Sequence, residues 1–216
     1  MSDNFKKRIF TSFVLFILLF LMIQNNYLLG YFLMIVGIIS ILEFSQMTSK
    51  IYKNKKIEFI FLNLFFLLYV FSICAFFLLF AFYVHLKIIS FIILITCIAS
   101  DIGGYAVGKI VKGRKLTKIS PNKTVSGALG SLIFSSVSIT IMFFYITEKF
   151  DPLISVVGLV ISIGCQVGDL LISSLKRKSN MKDTGNLLPG HGGVLDRIDG
   201  IILGMPIGFI ALTIFY

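Results

Sequence analysis

Residues 59–84 read FIFLNLFFLLYVFSICAFFLLFAFYV, aromatic and aliphatic almost throughout, with Asn63 as the lone amide and no charge. At 1.5 Å rise per residue, a helix this long exceeds the roughly 30 Å hydrocarbon core of a bilayer, so the segment is read as a tilted transmembrane helix. Runs of the same kind recur at Ile9–Ile23, Tyr27–Met47, Ile88–Val107, Val125–Thr147, Pro152–Leu175 and Ile198–Tyr216. The first is short and reaches the interface through snorkelling Lys6, Lys7 and Arg8. Across the 216 residues 57% are hydrophobic, above the roughly 45–50% of soluble domains, and the mean hydropathy is +0.96. The expected fold is all-α: a polytopic transmembrane bundle of about seven spans with a cytoplasmic N-terminus.

The formal net charge of +10 would suit a nucleic-acid binder. Its distribution excludes that class. If the N-terminus is cytoplasmic, every Lys and Arg except Lys87 and Lys149 falls on the inner side, which is the positive-inside pattern of a membrane protein. A different span count would scramble this alternation. Lys6–Arg8 before an apolar run also resembles a signal peptide, but Gln24, Asn25 and Asn26 form a polar turn and no small-residue cleavage site follows. A retained first helix is expected. Cys74, Cys97 and Cys165 lie inside spans without metal-like spacing and read as small buried hydrophobes.

The chain divides by character. Residues 1–84 are poor in polar groups and read as scaffold helices. Glu43, near the cytoplasmic end of its span, is expected to snorkel to the interface and is given no role. Residues 85–216 read as the catalytic region, with cytoplasmic loops 108–124 and 176–198 that gather Gly, Asp, Lys, Ser, His and Pro.

Asp169, Ser173 and Lys176 are spaced i, i+4 and i+7, so they share one helix face that runs to the membrane edge. An intramembrane carboxylate costs about 2.5–3.5 kcal/mol on insertion scales, and so faces a partner or a cavity. A plain Asp169–Lys176 structural pair is the bland alternative. After this helix comes Lys182-Asp183-Thr184-Gly185, then Leu188-Pro189-Gly190-His191-Gly192-Gly193, then Asp196-Arg197-Ile198-Asp199. The glycines permit positive φ and close backbone approach to a ligand. Asp196 and Asp199, i and i+3 at the start of the last helix, can point the same way. If they faced a third carboxylate they would repel, and a hard cation such as Mg²⁺ resolves that repulsion. His191, within this loop, is read as a phosphate hydrogen-bond donor rather than a metal ligand. Further upstream, Asp101-Ile102-Gly103-Gly104 leads into a basic stretch that ends at Ser120-Pro121-Asn122-Lys123-Thr124. Such a stretch suits a polyanion, although ordinary positive-inside charge is an equal explanation. Gly103-x4-Gly108-Lys109 nearly spells a P-loop, but Ile110 stands where Ser or Thr is required and the segment ends an apolar span.

The pattern from Ser173 to Asp199, taken whole, resembles the signature of the phosphatidate cytidylyltransferase (CDP-diacylglycerol synthase) family. Asp101 with its glycines and Ser120–Gly127 resemble that family's upstream regions, so the resemblance covers residues of about 100–200. The family often has an aromatic and an acidic residue after the Ser-Pro-x-Lys-Thr element; here they are Val125 and Ser126. The chain is also short for the family, which implies fewer N-terminal helices. The resemblance implies the reaction of CTP with phosphatidic acid to give CDP-diacylglycerol and pyrophosphate. It implies Asp169, Asp196 and Asp199 as metal-binding carboxylates for Mg²⁺, with a second cation left open. Lys176, Asp183, His191 and Arg197 are then the candidate catalytic residues. Ser173, Lys182, Asp101, Ser120, Lys123, Thr124, Gly192 and Gly193 are the candidate substrate-binding residues. Membrane lipids are expected partners, a homodimer is implied, and the expected location is the bacterial inner membrane with the active site facing the cytoplasm. A CTP-dependent polyprenol or dolichol kinase is the competing enzyme reading. An ion-coupled transporter is the reading from another class, although that predicts repeated halves and carboxylates near the midplane.

Overall fold

The computed structural model describes residues 17–18, 20–117, 119–120, 123–185 and 192–216. Its long helices are α1 (Asn26–Ile51), α2 (Lys56–Ala81), α3 (Val84–Val111), α4 (Val125–Thr147), α5 (Pro152–Lys178) and α6 (Leu195–Phe215). Among the described residues these six are long and apolar enough to cross a membrane. The protein is an integral membrane protein with a polytopic helical fold. Most of Ile9–Ile23 lies outside the described residues; residues 20–24 are helical and lead into α1.

One span differs from its sequence reading. The run 59–84 is not a single helix: α2 ends at Ala81, and Val84 opens α3. The chain tightens there, with Phe82 N–H donating to the Leu79 and Phe80 carbonyls and Tyr83 N–H to Phe80 at 3.1 Å. Phe82 and Tyr83 are as apolar as the helix they end, so hydropathy carries no stop signal at this turn.

The chain forms two compact units, Met1–Val84 with Leu175–Arg197, and His85–Ser174 with Ile198–Tyr216. In the first, α1 and α2 make an antiparallel hairpin. Asn25 caps α1, its side chain accepting from the N–H groups of Tyr27 and Leu28. Contacts then run in opposite senses along the two helices. Asn26 Nδ2 donates to the Ala81 carbonyl at 3.0 Å, Phe44 stacks on Phe66 with ring centroids 3.8 Å apart, and Asn63 Nδ2 donates to Thr48 Oγ1 at 2.9 Å. Outward faces remain apolar, with Phe61, Phe65 and Phe71 exposed, as lipid-facing positions are.

In the second unit the helices approach through small residues, the usual device where lipid is as apolar as leucine and close backbone contact drives association. A Cβ on Gly103 of α3 would lie 2.7 Å from the Gly130 carbonyl of α4, and one on Gly130 would lie 2.7 Å from the Gly103 carbonyl. Buried hydroxyls bridge the remaining seams. Ser100 and Ser162 are 2.8 Å apart, and Ser135 Oγ donates to the Gly158 carbonyl at 2.8 Å. Cys97 and Cys165 are buried free thiols.

Candidate active site

The signature loop begins where α5 stops. Asn180 adopts φ 55°, and the Met181 N–H bonds to the Lys176 carbonyl at 2.9 Å while Asn180 N–H bonds to Arg177 at 3.2 Å. This is a Schellman closure with Asn in the left-handed position that Gly usually takes. It ends the helix at Lys178, two residues after Lys176, and turns the chain toward Thr184, which is fully buried.

Asp196, in the first turn of α6, is held on both oxygens. Lys176 Nζ donates to Oδ1 at 2.6 Å. The backbone N–H groups of Thr184 and Gly193 donate to Oδ2 at 2.8 Å and 3.2 Å. The side chains of Lys176 and Asp196 are only 15% and 9% exposed, so this is a largely desolvated, charge-assisted pair. Gly192 lies at φ 85°, a conformation suited to glycine, and a Cβ there would sit 3.2 Å from Asp196 Oδ2.

Beneath this pair is Glu43. Sequence reasoning sent it to the interface; it is 3% exposed. Its Oε1 accepts the Val194 N–H at 3.0 Å. Its Oε2 accepts the Leu195 N–H at 2.8 Å and the Thr184 hydroxyl at 2.7 Å. The carboxylate therefore takes the free donors at the start of α6, where the helix dipole favours negative charge. The sequence puts Glu43 in an apolar span and offers it no partner nearby; α1 continues to Ile51, about two turns, or roughly 12 Å, beyond it. Gly193 shows why glycines surround it: a Cβ there would fall within 2.5 Å of Glu43 Oε2.

In the second unit Asp169 forms an ion pair with Lys123 and accepts from Ser173 Oγ at 3.1 Å. The shared helix face of Asp169 and Ser173 is thus realised as a hydrogen bond. The alternative Asp169–Lys176 pair is not: Lys176 bonds to Asp196, and Lys123 takes the place beside Asp169. Thr124 caps α4, accepting from the Gly127 N–H at 3.1 Å, and Ser126 donates to the Lys112 carbonyl. Ser120 shapes the approach to Lys123, whose N–H donates to its carbonyl at 3.1 Å. Asp199 Oδ1 accepts the Gly200 N–H at 2.9 Å, and its backbone carbonyl lies against Gly168. Asp101, Lys182, Asp183 and Arg197 are exposed; His191 lies outside the described residues. Gly103 and Gly108 are helical positions of α3, so the near-P-loop is no loop.

The sites are therefore two carboxylate–ammonium pairs, one within each unit. A family profile described as the cytidylyltransferase family matches residues 4–215. The chain belongs to that family. Members of the family similar to this chain include a protein named phosphatidate cytidylyltransferase from Bacillus subtilis (strain 168). It is 43% identical over 120 residues, covering 54% of this chain and 44% of the relative. A protein of the same name from Mycobacterium leprae (strain TN) is 36% identical over 125 residues, 57% of this chain and 40% of that one. One from Rickettsia bellii (strain RML369-C) is 40% identical over 128 residues, 55% of each. The chain thus spans about half, or less, of the length of these curated relatives.

Among the described residues no group of three His, Cys, Asp or Glu side chains is arranged to hold a metal ion. Asp169 and Asp196 offer the carboxylate oxygens that a hard cation prefers, and each is paired with a lysine whose place a bound cation would have to share. Those residues fit Mg²⁺ by donor type, with Lys123 and Lys176 as the charges that balance them.

Proposed function

We propose that this chain transfers the cytidylyl group of CTP to phosphatidic acid, releasing pyrophosphate. The observation that carries the reading is the Lys176–Asp196 pair, set by the family's loop at the start of α6. An oxygen of the lipid phosphate attacks the α-phosphorus of CTP; the bond from that phosphorus to the bridging oxygen of the β-phosphate breaks, and pyrophosphate carries away the electron pair. The nucleophile is already an anion, so no strong base is needed. The barrier is repulsion between anions and the charge gathering on the leaving group. Fixed cations lower both. Lys176, Lys182 and Arg197 supply such cations, Ser173 and His191 supply hydrogen bonds, and Asp169, Asp196 and Asp199 are the proposed carboxylates for Mg²⁺. When bound, Mg²⁺ neutralises phosphate oxygens as a Lewis acid.

In this reading the site faces the cytoplasm from a bacterial inner membrane, an orientation that the basic segments support, so that CTP arrives from water and phosphatidic acid from the leaflet. The test is a lipid-product assay on purified protein in detergent with Mg²⁺, phosphatidic acid and CTP labelled at either the α- or the γ-phosphate. The α-label is expected in the lipid. Entry of the γ-label, or of neither, overturns the reading.

A further inference from the structure

We propose that Glu43 is a positioning residue for Asp196, so that a helix read as scaffold sets the geometry of the catalytic carboxylate; this rests on the cytidylyl-transfer reading. The carboxylate of Glu43 holds two stretches ten positions apart. On one side it accepts the Thr184 hydroxyl, and on the other the N–H groups of Val194 and Leu195. These stretches also carry the N–H groups that hold Asp196 Oδ2, those of Thr184 and Gly193. Thr184 joins the two carboxylates directly, its hydroxyl on Glu43 and its amide on Asp196. With Oδ2 occupied in this way, Oδ1 is left facing Lys176.

The geometry calls for two acceptor oxygens at this place. Three donors meet Glu43, and it has two oxygens with lone pairs to accept them all. An amide of the same shape has one acceptor oxygen, and its NH₂ would confront a donor. Glu43→Gln therefore keeps the volume and breaks the clamp. Glu43 is 3% exposed, so water does not stand in for the lost acceptor. Released from Glu43, Thr184 and Gly193 no longer present their amides to Asp196 at a fixed angle, and the aspartate turns away from Lys176.

The test compares wild type, Glu43→Gln, Thr184→Val and Thr184→Ser in detergent, at a temperature well below each variant's melting midpoint. Turnover, KM for CTP and for phosphatidic acid, and the Mg²⁺ concentration for half-maximal rate are measured. Hydrogen exchange is followed in peptides covering 182–185 and 192–197. Glu43→Gln is expected to lower kcat by about tenfold to a hundredfold and to raise the Mg²⁺ requirement, with KM for phosphatidic acid unchanged and exchange faster in both peptides. Thr184→Ser is expected to restore most of the rate that Thr184→Val loses, because only the hydroxyl matters to the clamp. Wild-type kcat and Mg²⁺ dependence in folded Glu43→Gln overturn the proposal, as does a lower melting midpoint with undiminished turnover. If the wild type itself forms no CDP-diacylglycerol, the functional reading fails, and exchange decides the clamp separately: unchanged protection in Glu43→Gln overturns it.

Discussion

Asp196 shows how much one side chain is asked to do. One oxygen faces an ammonium and the other two backbone N–H groups, so an amide in its place sets donor against donor on one side or the other. Asp196→Asn is expected to cut CDP-diacylglycerol formation by about 10²–10³ while membrane insertion stays normal, checked by product assay and by yield in detergent. Wild-type rates and Mg²⁺ dependence would show that the carboxylate has been given the wrong role. Lys176→Ala leaves Asp196 without its counter-charge in a site where the two side chains are 15% and 9% exposed. Breaking a buried pair from one side typically costs about 3–5 kcal/mol. A lower melting midpoint is therefore expected along with lost turnover, and the double variant Lys176→Met with Asp196→Asn should melt higher than Lys176→Ala while remaining inactive. Lys176 and Asp196 stand out in the sequence by residue type and spacing. Their pairing does not, because the partners are twenty positions apart and the only partner within reach along the helix was Asp169.

At the scale of the element, the close crossing of α3 and α4 depends on having no side chain at Gly103 or Gly130, where a Cβ would stand 2.7 Å from the opposite backbone carbonyl. Gly130→Val is expected to destabilise the protein by at least the roughly 1–3 kcal/mol typical of overpacking, read as a fall in melting midpoint. An unchanged midpoint would mean that the helices can separate without loss. In the sequence Gly103 stands beside Asp101 and in a near-P-loop that Ile110 rules out, and Gly130 carries no signal; only the facing helix shows that they admit backbone. Asp151 stands at the start of the next helix. It precedes Pro152, the first residue of α5, a pairing of cap residue and helix-starting proline. Its Oδ1 accepts the Leu153 N–H at 2.9 Å, and its Oδ2 accepts from Tyr216 at 2.6 Å. The hydrogen bond from Tyr216 holds the Asp151 carboxyl below its usual range. A depressed acid contributes in its ionised form, so this tie is present above the ordinary carboxyl range and is lost as pH falls through the folded value. Asp151→Asn keeps a capping oxygen, and activity equal to wild type at neutral pH is expected; a large loss would mean that this end of the molecule bears on catalysis.

For the molecule as a whole, the distribution of basic residues sets the expected orientation. In a background without Cys74, Cys97 and Cys165, an impermeant thiol reagent on intact cells is expected to label Lys149→Cys and to spare Lys112→Cys and Lys178→Cys. The reverse pattern would overturn the cytoplasmic placement of the loops. By itself the sequence determined that the chain is a helical membrane protein and where its spans lie to within a turn or so, because burial of backbone polar groups in lipid leaves few alternatives and hydropathy is a property of each segment alone. It also marked the signature loop through residue types too rare to gather by chance. Tertiary structure decided which charges meet: Lys176 with Asp196, Lys123 with Asp169, and Glu43 with the start of α6. It also moved the turn between two spans from residues 85–87 to Phe82 and Tyr83. The physical reason is the same in each case. Helix periodicity and hydropathy describe neighbours along the chain, whereas a buried charge is stabilised by whatever partner the fold brings to it. For Glu43 those partners lie more than a hundred and forty positions away.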